Sequence, residues 1–189
     1  PAVQDKNNHV GSYRQTFTVP ADWKGSKIYM HIGSATSNVS LYVNGKYVGY
    51  SEDSKVAAEF DVTKYIVPGK DNLIAMQVMR WCDGSWNEDQ DFWRLSGVAR
   101  DSYLYARDSK VHVSNIKITP DLQNDYADGV VQIYAEVKGQ PIVEYKLLNH
   151  NGVEIVKSEA NFKKRTNGTA QFVLKNVKKW SAEDPYLYT

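Results

Sequence analysis

Apolar and polar residues alternate along short segments from the start of the chain, and this alternation predicts β-strands. Residues 13–19 place Tyr13, Phe17 and Val19 on one face and polar residues on the other, which predicts a half-buried strand that ends at Pro20. No segment of 12 or more residues keeps a helical period. Further strands are predicted in the first half of the chain at residues 28–32, 39–43, 46–50, 60–63, 73–81 and 102–107.

The second half of the chain repeats this pattern of short strands separated by turn residues. Strands are predicted at residues 111–118, 130–137, 142–148 and 172–174, with Pro120 expected to close the first of them. Asn44-Gly45, Asn151-Gly152 and Asn167-Gly168 are turn signals, because both residue types tolerate positive φ. Short strands at regular spacing indicate an all-β chain built from sandwiches or jelly rolls, and the short polar segment 108–110 is the predicted boundary.

The bulk composition excludes some classes of partner. The chain has 189 residues and a net charge of +1, so neither nucleic acid nor a membrane surface is an expected partner. Its single cysteine, Cys82, cannot form an internal disulfide. The compartment stays open between bacterial cytoplasm and periplasm. The segment before residue 10 has no apolar leader, and it is interpreted as an internal cut point.

One segment, residues 81–94, concentrates candidate chemistry. Four carboxylates and three tryptophans share these 14 residues. A carboxylate accepts hydrogen bonds from sugar hydroxyls, and a tryptophan face covers the apolar face of a pyranose, so the composition is typical of a carbohydrate site. The alternative is a surface loop with solvated acids whose tryptophans close the end of a sandwich. Glu88 and Asp91 are near enough in sequence to suggest a glycosidase pair, but no complete active site is expected within this chain.

Three segments together resemble the large family 2 β-galactosidases. The run Glu-Asp-Gln-Asp-Phe-Trp-Arg-Leu-Ser-Gly at residues 88–97, preceded by Asp-Gly-Ser-Trp at 83–86, is similar to the acidic loop of that family. Residues 43–61 resemble its jelly roll, and residues 180–188 resemble the end of its immunoglobulin-like domain. The resemblance implies a jelly-roll, galactose-binding-like domain at residues 1–109 and an incomplete immunoglobulin-like β-sandwich at 110–189.

The resemblance also implies roles for particular residues. Asp91 matches an aspartate that contacts galactose and helps to hold a sodium ion, and Trp93 is expected beside it at the substrate. Asp83 and Glu52 match ligands of a magnesium site. The catalytic glutamates of the family belong to a (β/α)₈ barrel that this chain lacks. No cofactor is therefore expected in the isolated chain, whereas Mg²⁺ and Na⁺ are expected in the parent enzyme.

Three functions remain open from the sequence. The first is a non-catalytic N-terminal fragment of a β-galactosidase. The parent enzyme would be a homo-oligomer that acts on β-galactosides, and the fragment would supply a substrate-positioning loop and support the barrel. The second is a stand-alone carbohydrate-binding module. The third is a purely structural pair of sandwiches, which the acidic loop disfavours. The isolated chain is expected to be inactive.

Overall fold

The computed structural model describes Val3 and residues 6–91, 93–163 and 166–189. The chain divides into two compact units, Pro1–Ser109 and Lys110–Thr189. Strands make up nearly all of the regular structure, and the only helical elements among the described residues are a 3₁₀ turn at Ala21–Trp23 and α1 at Gly84–Asn87. The prediction of an all-β chain is thus confirmed.

The first unit holds β1 Val10–Thr18, β2 Lys27–Ile32, β3 Ala35–Val43, β4 Lys46–Asp53, β5 Ala58–Asp61, β6 Asp71–Met79 and β7 Ser102–Arg107. The second holds β8 His112–Gln123, β9 Asp128–Lys138, β10 Ile142–Leu148, β11 Glu154–Asn161 and β12 Asn167–Leu174.

The first unit is a sandwich of two antiparallel sheets. One sheet has the strand order β1-β6-β3-β4 and the other the order β5-β2-β7. Alternate residues of each sheet point into a shared core, so that Ile28 and Ile32 of β2 meet Leu41 and Val43 of β3, all at most 1% exposed. The opposite residues of β2, such as Tyr29, point outward. This two-sided arrangement explains the alternation in the sequence.

Strand β1 is more exposed than the sequence predicted. Its pairing with β6 runs without interruption from Val10–Met79 to Thr18–Asp71, yet only Phe17 of this strand is partly buried. The reason is position, because β1 forms the edge of its four-stranded sheet while the facing sheet has three strands. The predicted inward face is confirmed at Phe17, which packs against the core, and at Val19, which is 1% exposed, but not at Tyr13, which is 39% exposed.

The hairpin predicted at Asn44-Gly45 is present and is tied to a second turn. Both residues have positive φ, 50° and 75°, and they connect β3 to β4. The Asn44 side chain donates to the side-chain oxygen of Asn72 at 2.9 Å. Asn72 is 1% exposed and also binds the backbone of Val67 and Lys70, which links the hairpin to the turn that precedes β6.

The second unit is also a two-sheet sandwich. A three-stranded sheet of order β12-β9-β8 faces the pair β10-β11, and the core between them includes Ile133, Tyr145, Phe162 and Phe172. No helix among the described residues is long and apolar enough to cross a membrane.

Three expectations about the second unit require correction. Asn167-Gly168 is not a turn, because both residues lie inside β12 and pair with Glu136 and Ala135 of β9. Pro120 does not close the first strand, because β8 continues to Gln123 and pairs Pro120 with Val131 of β9. A proline is accommodated there because β8 is an edge strand, where the missing N–H leaves no ladder bond unmade. Strand β11 was not predicted from the sequence. Of its inward residues Val156, Ser158 and Ala160 only Val156 is strongly apolar, and its neighbour Ile155 is exposed, so the alternation is faint.

A buried carboxylate makes the stability of the second unit sensitive to acid. Asp128 accepts hydrogen bonds from Lys175 Nζ at 2.6 Å, from the Asn176 backbone at 3.1 Å and from Asn124 at 2.8 Å. These bonds, led by that of Lys175, hold the pKa of Asp128 below its ordinary value of 3.8. Because the folded state lowers this pKa, its stabilising contribution is present above the ordinary value and is lost as pH falls through the lowered one.

We therefore expect the urea midpoint of the second unit to fall as pH drops below about 4, and to fall less steeply in Asp128→Asn. Circular dichroism across a pH series measures both slopes. Asp125→Asn, a charge change in the same turn, is the matched control and should follow the wild type. Parallel curves for wild type and Asp128→Asn would contradict the assignment.

Candidate functional site

The acidic loop, defined here as residues 83–94, lies in the connection between β6 and β7, and the start of β3 anchors both ends of that connection. Thr36 and Gly97 exchange two backbone hydrogen bonds of 3.0 and 3.1 Å. On the other side, the Asn38 side chain accepts a bond of 3.1 Å from the backbone N–H of Met79. The connection that contains the loop is therefore hydrogen-bonded to β3 on both sides of the loop, at Met79 and at Gly97.

A single helical turn, α1, begins the acidic loop, where the sequence predicted irregular structure. The hydroxyl of buried Ser85 accepts the backbone N–H of Cys82 at 3.0 Å, which closes the turn on itself. The Glu88 carboxylate then accepts the backbone N–H and the hydroxyl of buried Ser54, at 2.8 and 2.5 Å. These contacts give Glu88 a position that supports the loop from the end of β4.

Tryptophans and one arginine form a small cavity beside α1. Trp81 and Trp86 lie at a centroid distance of 6.2 Å, and the Arg94 guanidinium lies 5.5 Å from the Trp81 ring. Arg94 also donates to the Ser85 carbonyl at 3.2 Å and forms an ion pair with Asp89. The cavity has a volume of about 350 Å³ and is lined by Lys6, Asn7, Trp81, Ser85, Trp86, Asp89 and Arg94.

The two residues predicted to bind substrate, Asp91 and Trp93, lie outside that cavity. Both are exposed, Trp93 to 86%, and Phe92 between them lies outside the described residues. Within the described part of the chain, no hydrogen bond or ion pair engages the Asp91 carboxylate. Its acidic neighbours Glu88 and Asp89 are both held by protein groups. Of the three, Asp91 is the carboxylate available to an outside ligand.

The two residues predicted to bind magnesium are brought together by the fold. One carboxylate oxygen each from Glu52 and Asp83 and the sulfur of Cys82 lie within 4.8 Å of one another. The two carboxylates are hard oxygen donors, which suit Mg²⁺, an ion that commonly takes one or two carboxylates and completes its shell with water. The Cys82 thiol is a soft ligand, and it is buried against the Ser37 carbonyl at 3.7 Å. The oxygen pair thus fits Mg²⁺, whereas Asp91 is not part of this cluster.

Tyr50, which the sequence reasoning missed, adjoins the cluster of Glu52, Cys82 and Asp83. Its hydroxyl donates to the Glu52 carboxylate, since residues two apart on β4 share a face. Burial, followed by this bond, raises the pKa of Tyr50 well above its usual value. The Tyr50-x-Glu52 spacing on a predicted strand was the available signal. No comparable signal linked Ser54 to Glu88, which are 34 residues apart.

Comparison with known families matches this architecture unit by unit. Residues 1–108 match the family described as "Glycosyl hydrolases family 2, sugar binding domain", and residues 111–189 match "Glycosyl hydrolases family 2". The chain belongs to glycosyl hydrolase family 2. The resemblance seen in the acidic loop is thereby confirmed.

The curated relatives of this family 2 chain are β-galactosidases, and the matches to the three named here extend over its whole length. It is 38% identical over 200 residues to a β-galactosidase of Priestia megaterium, covering 100% of this chain and 19% of that protein. A β-galactosidase of Streptococcus thermophilus is 36% identical, and the match covers 100% of this chain and 18% of that protein. A β-galactosidase of Clostridium acetobutylicum is 37% identical, and the match covers 100% of this chain and 21% of that protein. The chain thus spans about a fifth of the length of these relatives.

Two solved structures share the fold of this chain. A β-glucuronidase of Bifidobacterium dentium superposes with a TM-score of 0.78 at 18% identity, covering 96% of this chain and 36% of that one. A family 2 member from Bacteroides cellulosilyticus superposes with a TM-score of 0.78 at 21% identity, covering 95% of this chain and 25% of that one. At these identities the likeness concerns the fold alone.

Proposed function

We propose that this chain is the non-catalytic N-terminal part of a β-galactosidase that hydrolyses terminal β-D-galactosides. Its relatives at 34–38% identity are β-galactosidases, and each match includes the acidic loop. The observation that carries the proposal is Asp91, an exposed carboxylate without a protein partner in the described structure. It lies on a loop in which Glu88 and Asp89 are engaged by protein groups and Asp83 is clustered with Glu52. Such a group is available to a sugar.

In this proposal the acidic loop positions substrate. The Asp91 carboxylate accepts hydrogen bonds from galactose hydroxyls and helps to hold a sodium ion, both of which require its negative charge. The Trp93 ring, exposed beside it, offers a flat apolar face to the sugar. Glu88 and Ser54, together with the turn at Ser85, keep the loop in place on the sandwich.

Glu52 and Asp83 are the residues that would hold Mg²⁺ in the parent enzyme. A bound divalent ion supplies positive charge that screens the repulsion between two adjacent carboxylates. Tyr50 orients Glu52 by donating to it. An ion bound to Glu52 and Asp83 would hold the end of β4 and the start of the acidic loop together.

The same contacts argue against a catalytic pair inside this chain. A glycosidase needs two carboxylates that flank the scissile bond, one of them free to donate a proton and the other free to attack or to activate water. Glu88 is bound to Ser54 and Asp89 to Arg94, and Asp83, the remaining acid of the loop, lies in the cluster with Glu52 and not with Asp91. The acid and nucleophile are assigned to a barrel that follows in the parent, which this chain supports.

The isolated chain is therefore expected to show no hydrolysis of an aryl β-galactoside above the buffer rate. The preparation must come from a host without its own β-galactosidase, with the full-length enzyme as the positive control. The Asp91→Ala variant of the isolated chain distinguishes contamination from intrinsic activity. Hydrolysis by the isolated chain that disappears in Asp91→Ala would overturn the proposal, because the loop itself would then be catalytic.

A further inference from the structure

A second group of aromatic and charged side chains lies on the outward face of the sheet β5-β2-β7. Tyr29 and His31 alternate with the buried residues of β2, and they stand directly opposite Tyr105 and Tyr103 of β7. Tyr29 stacks on Tyr105 at 5.4 Å, and His31 stacks on Tyr103 at 4.6 Å with 17° between the ring planes. None of these residues belongs to the acidic loop.

Hydrogen bonds to Glu59 of β5 fix the orientation of these rings. Its carboxylate accepts from His31 Nδ1 at 3.2 Å and from the Tyr105 hydroxyl at 3.0 Å. Partial burial acts to raise the pKa of Glu59, but these bonds outweigh it and hold that pKa below its usual value. The rings are thus organised before any ligand arrives, which reduces the entropy lost on binding.

The His31–Tyr103 pair forms one wall of an open cavity at the end of this sheet. The cavity has a volume of about 510 Å³, and its lining residues are His31, Gly33, Ala57, Arg100, Asp101 and Tyr103. This volume lies within the range usual for small-molecule sites. His31 covers one ring face of Tyr103, yet 50% of Tyr103 remains exposed. An aromatic surface is therefore accessible on the wall of this open cavity.

The charged groups of the cavity select the class of ligand. The Arg100 guanidinium is held by one N–H, which donates to the Lys55 carbonyl at 2.6 Å, and no hydrogen bond to another described residue engages its other N–H groups. Asp101 contributes a carboxylate acceptor on the same rim. One cation and one anion beside aromatic rings match a neutral ligand with many hydroxyl groups, because hydroxyls both donate and accept.

We propose that this cavity, which we call the His31–Tyr103 cavity, binds one neutral pyranose unit of a saccharide. The apolar C–H face of the sugar packs on the His31–Tyr103 wall, while its hydroxyls accept from Arg100 and donate to Asp101. The proposal goes beyond the substrate-positioning role of Asp91 and does not depend on it. A single sugar ring on an open site is expected to bind with a Kd of about 1–10 mM.

Titration of the ¹⁵N-labelled 189-residue chain with methyl β-D-galactopyranoside tests this assignment. The amide of Gly33, which lines the cavity and donates to the Asp101 carbonyl at 3.1 Å, is the reporter. We expect a saturable shift of this amide in the wild type and at least about tenfold weaker binding in Tyr103→Ala. Tyr47→Ala is the matched control, since Tyr47 is equally exposed on β4 and should leave the binding unchanged.

Asp101→Asn is the second variant and keeps the rings in place. It should weaken binding about tenfold because it removes a charged acceptor. Thermal unfolding of each variant shows that the fold is retained. D-Glucuronate is the anionic comparison and should bind more weakly than the neutral glycoside.

The proposal would be overturned by a Gly33 amide that does not respond in the wild type, by binding that survives both Tyr103→Ala and Asp101→Asn, or by stronger binding of D-glucuronate. Asp91→Asn separates the two sites. Loss of the response in Asp91→Asn alone would place the sugar at the acidic loop and refute this proposal, while leaving the proposed function intact.

Discussion

Asp91→Asn in the full-length enzyme should lower kcat/KM for β-galactosides by about 10- to 150-fold. The substitution keeps the shape of the side chain but removes the charge on which both the sugar contact and the sodium contact depend. Loss of a charge-assisted hydrogen bond costs about 1.5–3 kcal/mol, which corresponds to this range of rates. Because Asp91 is exposed and has no protein partner among the described residues, the melting temperature should not change.

Steady-state kinetics of Asp91→Asn, Glu88→Gln and Asp89→Asn at matched melting temperatures distinguish binding from support. Glu88 and Asp89 are held by Ser54 and Arg94, so their variants should act mainly on the loop and change kcat/KM less than Asp91→Asn does. If Asp91→Asn behaves like the wild type while Glu88→Gln is crippled, the substrate carboxylate has been wrongly assigned.

Asn72→Ala should destabilise the first unit by about 3–5 kcal/mol. Asn72 is 1% exposed, and its side chain accepts the Val67 N–H at 2.8 Å and donates to the carbonyls of Val67 and Lys70 at 3.1 and 2.9 Å. Alanine removes the partners of the Val67 N–H and the Lys70 carbonyl and leaves the Val67 carbonyl with only the Lys70 N–H at 3.3 Å. Each unsatisfied buried group costs about 1–3 kcal/mol. The Asn44 side chain also loses its acceptor, so the hairpin at Asn44-Gly45 should loosen with the turn.

Urea unfolding of the 189-residue chain measures this loss, with the free energy extrapolated to water for the transition of the first unit. Asn87→Ala is the control, because Asn87 is an exposed residue of α1 and should change stability by less than about 0.5 kcal/mol. An Asn72→Ala midpoint within error of Asn87→Ala would show that water replaces the lost bonds.

The sequence by itself determined most of the strands of this protein and the turn between β3 and β4. Alternation at residues 28–32 and 39–43 located β2 and β3, because a strand packed on one side must bury every second residue. Asn44-Gly45 located the hairpin between β3 and β4 to the residue, since few other pairs accept two positive φ values. The acidic run at residues 88–97 pointed to family 2 through its residues alone, and the family match confirms it.

The tertiary structure alone decided what depends on contacts between distant segments. Position at a sheet edge left β1 exposed and let β8 continue through Pro120, although neither is visible in local alternation. The carboxylates of the acidic loop look alike in sequence, and only the fold engages Glu88 with Ser54 and Asp89 with Arg94, leaving Asp91 without a partner in the described chain. The physical reason is common to these cases. Strand periodicity is a property of neighbouring residues, whereas edge position, hydrogen-bond partners and burial depend on which remote segment the fold brings alongside.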